Sequence, residues 1–545
     1  MRTIVEHGFL RRHAKPAAGI LVVAVATLLF FYRLGEKDLW ERSEGRSAFF
    51  GRHMVESSEY LVPALNGRPF VDNRPPGYYW LVAGAYKVTG VRTEFVARVP
   101  AALAAVVCVV LVYWFGCQFS GWAGGLWSSV VLLGIVKFTW QARLAEQDIL
   151  LTLWTALGYW AFWQWLKDRD AAGRRATGRY GWPTLLHVLV GLGAMTKGPA
   201  IVLTLVFPLC VYVLVSRRWR EVDWWPLLIT SPLSVVLSLW WFVYVWVALP
   251  AEQGQLIERF LDQGRLHVRH WYYYVVELPG LLGPATLLLP LLWWRWREAP
   301  AEERRGELGF LLTWFLGNLA IFSVFPSKQS HYLVPAFPGL ALALGPILAH
   351  LDAKRFWLSG AFVVVIMAVL VVAPLGWVLF APDGIATPHP ILLGVFLSVC
   401  GLAAVLLGLS LRAGRVGFAF RAAWSFWLLG IAVVFGDLVP QFNHAQSARH
   451  FADKVDESLP VGARLGVLSN NPGILFYLDE PAVIFDDAFL ARAFLEDSDL
   501  NYVVAESDVL NDEFKDFEQD GTEVVLEQGG FMKRGVSAFL LRDPD

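Results

Sequence analysis

The chain has 545 residues, of which 56% are hydrophobic and only 17% are charged, and its mean hydropathy is +0.48. A soluble protein carries about 25% charged residues, so this composition excludes an ordinary soluble enzyme. The net charge of −1 gives no sign of a nucleic-acid partner, and the 26 Trp and 37 Phe suit a surface that faces lipid.

The N-terminus is basic and leads into an apolar run. Arg2, Arg11, Arg12 and Lys15 precede the run from 19 to 32, and no small-x-small cleavage site follows it. This pattern favours an uncleaved first transmembrane helix over a signal peptide. Residues 1–17 are therefore predicted to be a cytoplasmic N-terminus.

Apolar runs long enough to cross a membrane recur along the chain as far as residue 440. A spanning helix needs roughly 20 mainly apolar residues, and about 13 such runs are predicted. They lie at 18–34, 97–116, 123–142, 148–166, 182–197, 199–216, 224–247, 273–294, 308–325, 331–350, 356–380, 390–411 and 419–440. Residues 18–440 thus form a predicted transmembrane domain with a long loop at 35–96.

The basic residues give an independent test of this count. With the N-terminus in the cytoplasm, every second connection should be rich in Lys and Arg. The predicted cytoplasmic connections hold Lys167, Arg169, Arg174, Arg175, Arg179, Arg217, Arg218, Arg220, Arg295, Arg297, Arg304, Arg305, Lys354, Arg355, Arg412, Arg415 and Arg421. An odd number of spans then places the tail, residues 441–545, on the extracytoplasmic side.

The tail changes to an acidic composition with ordinary strand and helix patterns. Strands are predicted at 464–468, 482–485, 502–505, 523–526 and 538–541, and helices at 447–458 and 488–496. The fold class is therefore an all-α polytopic membrane protein with a small C-terminal extracytoplasmic α/β domain.

Unusual polar residues occur in the long loop after the first span. Ser43, in the segment 40–46, can cap a short helix whose apolar side would lie on the bilayer surface. Further along, Arg74 precedes a Pro-Pro pair. Taken alone, such a loop is most often only solvated.

Three further polar clusters fall at the predicted outer ends of spans: Asp148 in the segment 143–148, Lys197 in 195–199, and His331 with Tyr332 in 327–332. A helix N-terminus, a snorkelling lysine and a polar turn would explain each of them separately. Because all three clusters lie on the same predicted side of the membrane, a common binding site is favoured instead. Arg and Lys would hold an anionic phosphate there, Tyr would donate a hydrogen bond, and a carboxylate would act as a base.

These motifs, in this order, resemble the GT-C-type glycosyltransferases that use lipid-phosphate-linked sugars. The resemblance is to the bacterial branch with the lipid A aminoarabinose transferases and the protein O-mannosyltransferases, and it covers roughly residues 18–350. It rests on Leu39-Trp40, Glu44-x-Arg46, Pro63-x-x-Asn66-Gly67, Arg74-Pro75-Pro76, Tyr79-Trp80, Thr196-Lys197-Gly198-Pro199 and His331-Tyr332-x-x-Pro335.

The resemblance implies an inner-membrane enzyme that transfers a sugar from a polyprenyl-phosphate donor, with inversion, to a lipid, protein or other envelope acceptor. It implies catalytic roles near the sugar and acceptor for Glu44 and Asp148. The residues that would hold the donor phosphate are Arg46, Arg74, Lys197, His331 and Tyr332.

Two positions depart from the family pattern. Relatives usually have an Asp-Glu pair where this chain has Ser43-Glu44, and an acid where it has Asn73. A divalent metal ion bridged by these acids is left open as a cofactor, and no metal ligand is assigned. The alternatives to this enzyme are a secondary transporter, a lipid-linked glycan ligase and a non-catalytic envelope scaffold.

Overall fold

The computed structural model describes residues 2–65, 68–71, 74–168, 179–254, 256–258, 267–350, 415–468, 472–478, 482–485, 488–506, 522–528 and 537–542, with short stretches between 401 and 413. The first nine helices are α1 (Arg2–Phe31), α2 (Arg42–Ser57), α3 (Gly77–Thr89), α4 (Glu94–Gly134), α5 (Val136–Gln141), α6 (Asp148–Lys167), α7 (Gly181–Lys197), α8 (Phe207–Val215) and α9 (Trp224–Ala248). The later helices are Tyr273–Leu282, Leu289–Glu298, Ala301–Arg305, Glu307–Val324, Phe337–Ala349, Val416–Val433, Asn443–Gln446, Arg449–Ser458, Pro472–Tyr477 and Ala488–Leu495.

The chain is a multi-pass membrane protein. Among the described residues, six helices are long and apolar enough to cross a membrane: Glu94–Gly134, Trp224–Ala248, Tyr273–Glu298, Glu307–Val324, Ser330–Ala349 and Phe418–Phe442. Lys15–Phe31 and Val202–Val215 are shorter apolar helices. The predicted span 356–380 lies outside the described residues, as does most of the span 390–411.

Helix α4 is a hairpin of two antiparallel helices. The helical dihedral angles break at Ser120 and at Gly121, where φ is +67°. Beyond the break, Ser129 Oγ donates a hydrogen bond to Val109 O at 3.3 Å, although the two residues are 20 positions apart. A straight helix would separate them by about 30 Å. The chain therefore reverses at Gly121, between the predicted spans 97–116 and 123–142.

The first loop contains two helices joined by a small β-ladder. The strands β1 (Ala64–Leu65) and β2 (Arg68–Pro69) pair antiparallel between α2 and α3. The predicted helix after Ser43 is present as α2, but Ser43 lies inside it and the cap position is Glu41. The apolar side of α2 faces protein and not the bilayer, because Phe50 packs against Phe70 with ring centroids 5.0 Å apart.

The tail folds around a five-stranded sheet. Its strands are β3 (Arg464–Leu468), β4 (Ala482–Ile484), β5 (Asn501–Glu506), β6 (Glu523–Gln528) and β7 (Ala538–Arg542), in the spatial order β4-β3-β5-β7-β6. The β3 strand pairs parallel with β4 and β5, while β7 pairs antiparallel with β5 and β6. The five predicted strands agree with these bounds to within one or two residues. The helix Pro472–Tyr477 was not predicted.

That unpredicted helix connects the tail to the first loop. Tyr477 Oη accepts a hydrogen bond from Leu39 N at 2.9 Å. Arg52 of α2 donates to Leu475 O at 2.7 Å and to Phe476 O at 2.9 Å. These hydrogen bonds, one before α2 at Leu39 and two from Arg52 within α2, hold the helix against the tail, so the tail helps to position the loop.

Candidate functional site

Three helix ends and one turn meet at one place in the fold. Arg74 precedes α3, Asp148 is the first residue of α6, Lys197 is the last residue of α7, and Tyr332 lies in the 3₁₀ turn Ser330–Ala336. Polar side chains at helix ends meet here without interrupting the apolar middle of any helix.

The centre of the site is a buried ion pair. Lys197 Nζ donates to Asp148 Oδ1 at 2.6 Å, and the two residues are only 8% and 3% exposed. Lys197 Nζ also lies 5.2 Å from the centroid of the Tyr332 ring, within the range of a cation–π interaction. The lysine thereby joins α6, α7 and the 3₁₀ turn.

Arg74 joins the same cluster through Gln147. With its amide oriented to suit its neighbours, Gln147 accepts a hydrogen bond from Arg74 Nη1 at 2.8 Å and donates to Thr196 O at 3.2 Å. Among the described residues, the buried Nε of Arg74 has no hydrogen-bond partner. A buried guanidinium with an unused donor suits an anionic ligand.

His331 and Tyr332 belong to the same cluster of side chains. Both are half-buried, their ring centroids are 4.9 Å apart, and Tyr332 packs against Phe322 at 5.7 Å. The structure thus brings together five of the seven predicted site residues: Arg74, Asp148, Lys197, His331 and Tyr332. Arg46 is half-buried on α2, and its role stays a prediction.

Glu44 lies in a different environment. Its side chain is fully buried, and its two oxygens accept hydrogen bonds from Lys37 Nζ at 2.7 Å, Arg98 Nε at 2.7 Å and Ala145 N at 3.0 Å. Burial alone would raise the pKa of this carboxyl, but the charges of Arg98 and Lys37 outweigh it and lower the pKa to about 2. This geometry argues against Glu44 as a base.

Glu146 lies between the Glu44 network and Asp148. It is 7% exposed, and its carboxyl oxygens accept hydrogen bonds from the Ser43 hydroxyl and the Gln141 amide. Burial, followed by the nearby charge of Asp148, raises the pKa of Glu146 to about 7. A carboxyl group with a raised pKa therefore lies two residues before Asp148 of the ion pair.

The described residues do not form a metal site. No three His, Cys, Asp or Glu side chains within the described ranges lie close enough together to bind one ion. Glu44 and Asp148 instead bind cationic side chains of the protein itself. Asn73 lies outside the described residues.

Two important residues were missed by the sequence reasoning. Arg98 was counted inside an apolar span, although a charged residue at such a position is a recognised signal of function or pairing. It is fully buried, and besides Glu44 it donates to the carbonyls of Leu34 at 2.8 Å and Asp38 at 3.0 Å. Glu146 drew attention only as a neighbour of Asp148, because only the folded structure shows that neutral donors, Ser43 and Gln141, bind its carboxyl group.

A close helix contact sets the distance between Arg74 and Lys197. A Cβ atom at Gly77, the first residue of α3, would lie 2.4 Å from Met195 O of α7. Gly77→Ala is therefore expected to push α3 away and to reduce transfer activity by about 10-fold or more, as small displacements of binding groups do. Steady-state rates in detergent micelles would measure this effect.

The same helix offers a matched control. A Cβ atom at Gly84 would meet no atom within 4 Å among the described residues. Gly84→Ala should leave activity unchanged and stabilise α3 slightly, because alanine favours helix more than glycine does. Equal activity in the two variants would show that the contact with Met195 does not position Arg74.

The chain is similar in sequence to known proteins. Residues 51–249 match the family model described as dolichyl-phosphate-mannose-protein mannosyltransferase. The chain is 27% identical over 459 residues to an undecaprenyl phosphate-α-4-amino-4-deoxy-L-arabinose arabinosyl transferase of Sodalis glossinidius, covering 78% of this chain and 77% of that protein. It is also 27% identical to the enzyme of that name from Enterobacter sp. strain 638, covering 79% and 78%.

The fold also matches a solved structure. The crystal structure of ArnT from Cupriavidus metallidurans bound to undecaprenyl phosphate superposes with a TM-score of 0.75 and 21% identity, covering 95% of this chain and 97% of that one. The sequence relatives of the chain are thus named as sugar transferases. The chain has the fold of ArnT.

Proposed function

We propose that this chain transfers a sugar from a polyprenyl-phosphate donor to an envelope acceptor at the outer surface of the inner membrane. The observation that carries the proposal is the convergence of Arg74, Lys197 and Tyr332 around Asp148. A phosphate group needs this cationic, hydrogen-bonding environment. Undecaprenyl phosphate, named for the relatives and for the ArnT complex, is the carrier that we propose here.

The reaction that suits this site is an inverting displacement at the anomeric carbon. Polyprenyl phosphate leaves as a stable anion, so the site has to orient the acceptor hydroxyl and stabilise charge on the departing phosphate. We assign the first task to Asp148. The second falls to Arg74, Lys197 and Tyr332, with His331 and Arg46 as further contacts.

Glu44 is better assigned a positioning role than a catalytic one. Two cations and a main-chain amide already occupy its carboxylate. Through Ala145 it ties α2 to the segment that carries Glu146 and Asp148. Glu44 would thereby hold the first loop over the site.

We also propose the orientation and domain division that the charge pattern favours. About 13 spans would give a cytoplasmic N-terminus at 1–17, a transmembrane domain at 18–440 and an extracytoplasmic domain at 441–545. Single cysteines at the exposed positions Glu59, Arg220 and Asp499, each in a chain whose four native cysteines are replaced, test this with a membrane-impermeant maleimide. Glu59→Cys and Asp499→Cys should react in intact spheroplasts, whereas Arg220→Cys should react only after the membrane is permeabilised. Any other labelling pattern contradicts the proposed orientation.

The activity is tested with purified protein and a panel of undecaprenyl-phosphate-linked sugars that includes 4-amino-4-deoxy-L-arabinose and mannose. Release of undecaprenyl phosphate in the presence of lipid A or an acceptor protein would be the positive result. Turnover with none of these donors, by protein that remains folded, would contradict the proposal.

A transporter is the second function to test. Transporters place ionisable groups near the middle of the membrane on broken helices, whereas Asp148, Lys197 and Tyr332 lie at the ends of their helical segments or in a turn. Uptake of solute by proteoliposomes that lack a lipid-linked sugar would favour transport over transfer.

A further inference from the structure

The three carboxyl groups around the site differ in what binds their oxygens. Glu44 accepts hydrogen bonds from two cations and a main-chain amide. Asp148 accepts one from Lys197 at 2.6 Å. Glu146 accepts hydrogen bonds from the hydroxyl of Ser43 and the amide of Gln141, and within the described ranges it forms no ion pair.

This difference decides which group is the strongest base. A cation in direct contact stabilises a carboxylate and weakens its affinity for a proton, whereas burial among neutral donors strengthens that affinity. Glu146 is buried like Glu44 and Asp148, at 7% exposure against 0% and 3%. Of the three, it is therefore the one best able to accept a proton at neutral pH.

Several charged or titratable groups surround Glu146 from different elements: Glu41 at the start of α2, Tyr78 of α3, Lys137 of α5, Asp148 of α6 and Lys197 of α7. Burial and Asp148 together raise the pKa of Glu146 to about 7, against the opposing hydrogen bond from Ser43. General bases work best when their pKa lies near the operating pH.

We propose that Glu146 is the base that removes the proton from the acceptor hydroxyl, while Asp148, held by Lys197, orients that hydroxyl. This inference rests on the proposed glycosyl transfer and adds a catalytic residue to it. Ser43 and Gln141 act as positioning residues, since their side chains fix the carboxyl of Glu146.

The step balances in protons and electrons. The O–H bond of the acceptor breaks, its proton passes to the Glu146 carboxylate, and the oxygen forms a bond to the anomeric carbon. The bond from that carbon to the phosphate oxygen breaks, and its electron pair leaves with polyprenyl phosphate beside Arg74 and Lys197. Glu146 then releases its proton to water.

The pH dependence of the native enzyme separates Glu146 from Asp148 as the base. Only a deprotonated carboxylate accepts a proton, so kcat should rise with pH through about 7 if Glu146 is the base. An unperturbed aspartate would place that rise near about pH 4. The measurement uses undecaprenyl phosphate-linked 4-amino-4-deoxy-L-arabinose and lipid A, or the pair from the panel that turns over.

Glu146→Gln should lower kcat by about 10²- to 10⁴-fold and abolish the rise near neutral pH. Glu94→Gln is the matched control, because Glu94 is also 7% exposed but pairs with Arg449 of the tail and with none of the proposed site residues. The Glu94→Gln control should keep the native kcat and the native dependence of kcat on pH. Activity of Glu146→Gln within threefold of native, or an unchanged rise near pH 7, would overturn the inference.

A second variant keeps the test decisive if Glu146→Gln fails to fold. The Ser43 hydroxyl donates a hydrogen bond to the Glu146 carboxyl. The double variant Ser43→Asp with Glu146→Gln therefore replaces the carboxylate at position 146 by one at position 43, on the other side of this contact. Transfer with a displaced pH profile supports the inference, and a folded double variant with no transfer or an unchanged profile contradicts it. Failure of every donor with the native enzyme would instead contradict the proposed function.

Discussion

Replacing Asp148 with Asn is expected to lower the rate of sugar transfer by at least about 100-fold while the protein still folds and inserts. The amide keeps the shape of the side chain, but it removes the charge that faces Lys197 at 2.6 Å. The lysine would then be free to turn away from α6 and would no longer sit between Asp148 and the Tyr332 ring. Release of undecaprenyl phosphate at saturating substrate measures the loss, and size-exclusion chromatography checks folding.

Asp223→Asn is the matched control for that variant. Asp223 also precedes an apolar helix, α9, and also binds a cation, Arg179, at 3.0 Å. It lies on the side that we assign to the cytoplasm and is partly exposed, so its loss should leave transfer unchanged. If Asp148→Asn kept native activity, Asp148 would have no part in the reaction.

Replacing Glu44 with Gln is expected to have the largest effect on stability. It leaves Arg98 and Lys37 buried beside a neutral amide, and breaking a buried ion pair costs about 3–5 kcal/mol. The variant should lose much of its folded fraction on mild heating in detergent, followed by chromatography. Glu59→Gln, an exposed position in the same loop, should behave as the native protein.

The Glu44 network also predicts a direction of acid sensitivity. The folded pKa of Glu44, about 2, lies below its ordinary value of 4.5. The stabilisation is therefore complete above pH 4.5 and decreases as the pH falls from there towards 2. A Glu44→Gln protein that remained as stable as native at neutral pH would show that the network adds nothing to the fold.

The helices were predictable because a membrane imposes a local rule. About 20 consecutive apolar residues predict a membrane-spanning helix, whichever residues that helix contacts in the fold. The chain reversal at Gly121 lies between two such predicted helices. The strands of the tail were predictable for a similar reason, since alternation and apolar runs are properties of neighbouring residues. Helix α3 and the helix Pro472–Tyr477 were missed, because both are short and gain their stability by packing on α2 or α4.

The candidate site was only partly predictable. Asp148, Lys197 and Tyr332 were found because each is a polar residue at the end of an apolar run, whereas Arg74 was found through the family resemblance of its loop motif. The environment of Glu44 was not predictable, because its partners Arg98 and Ala145 are 54 and 101 residues away along the chain. The loop motif that contains Glu44 predicts a catalytic role as readily as a structural one.

By itself, the sequence determined that the chain is a multi-pass membrane protein with a small sheet in its tail, because hydropathy and strand patterns are local. Only the tertiary structure decided which carboxylate is bound by cations and which one, among the described residues, accepts hydrogen bonds from neutral donors. That choice depends on the groups packed around each carboxyl, and for Glu44, Glu146 and Asp148 most of those groups come from distant parts of the chain.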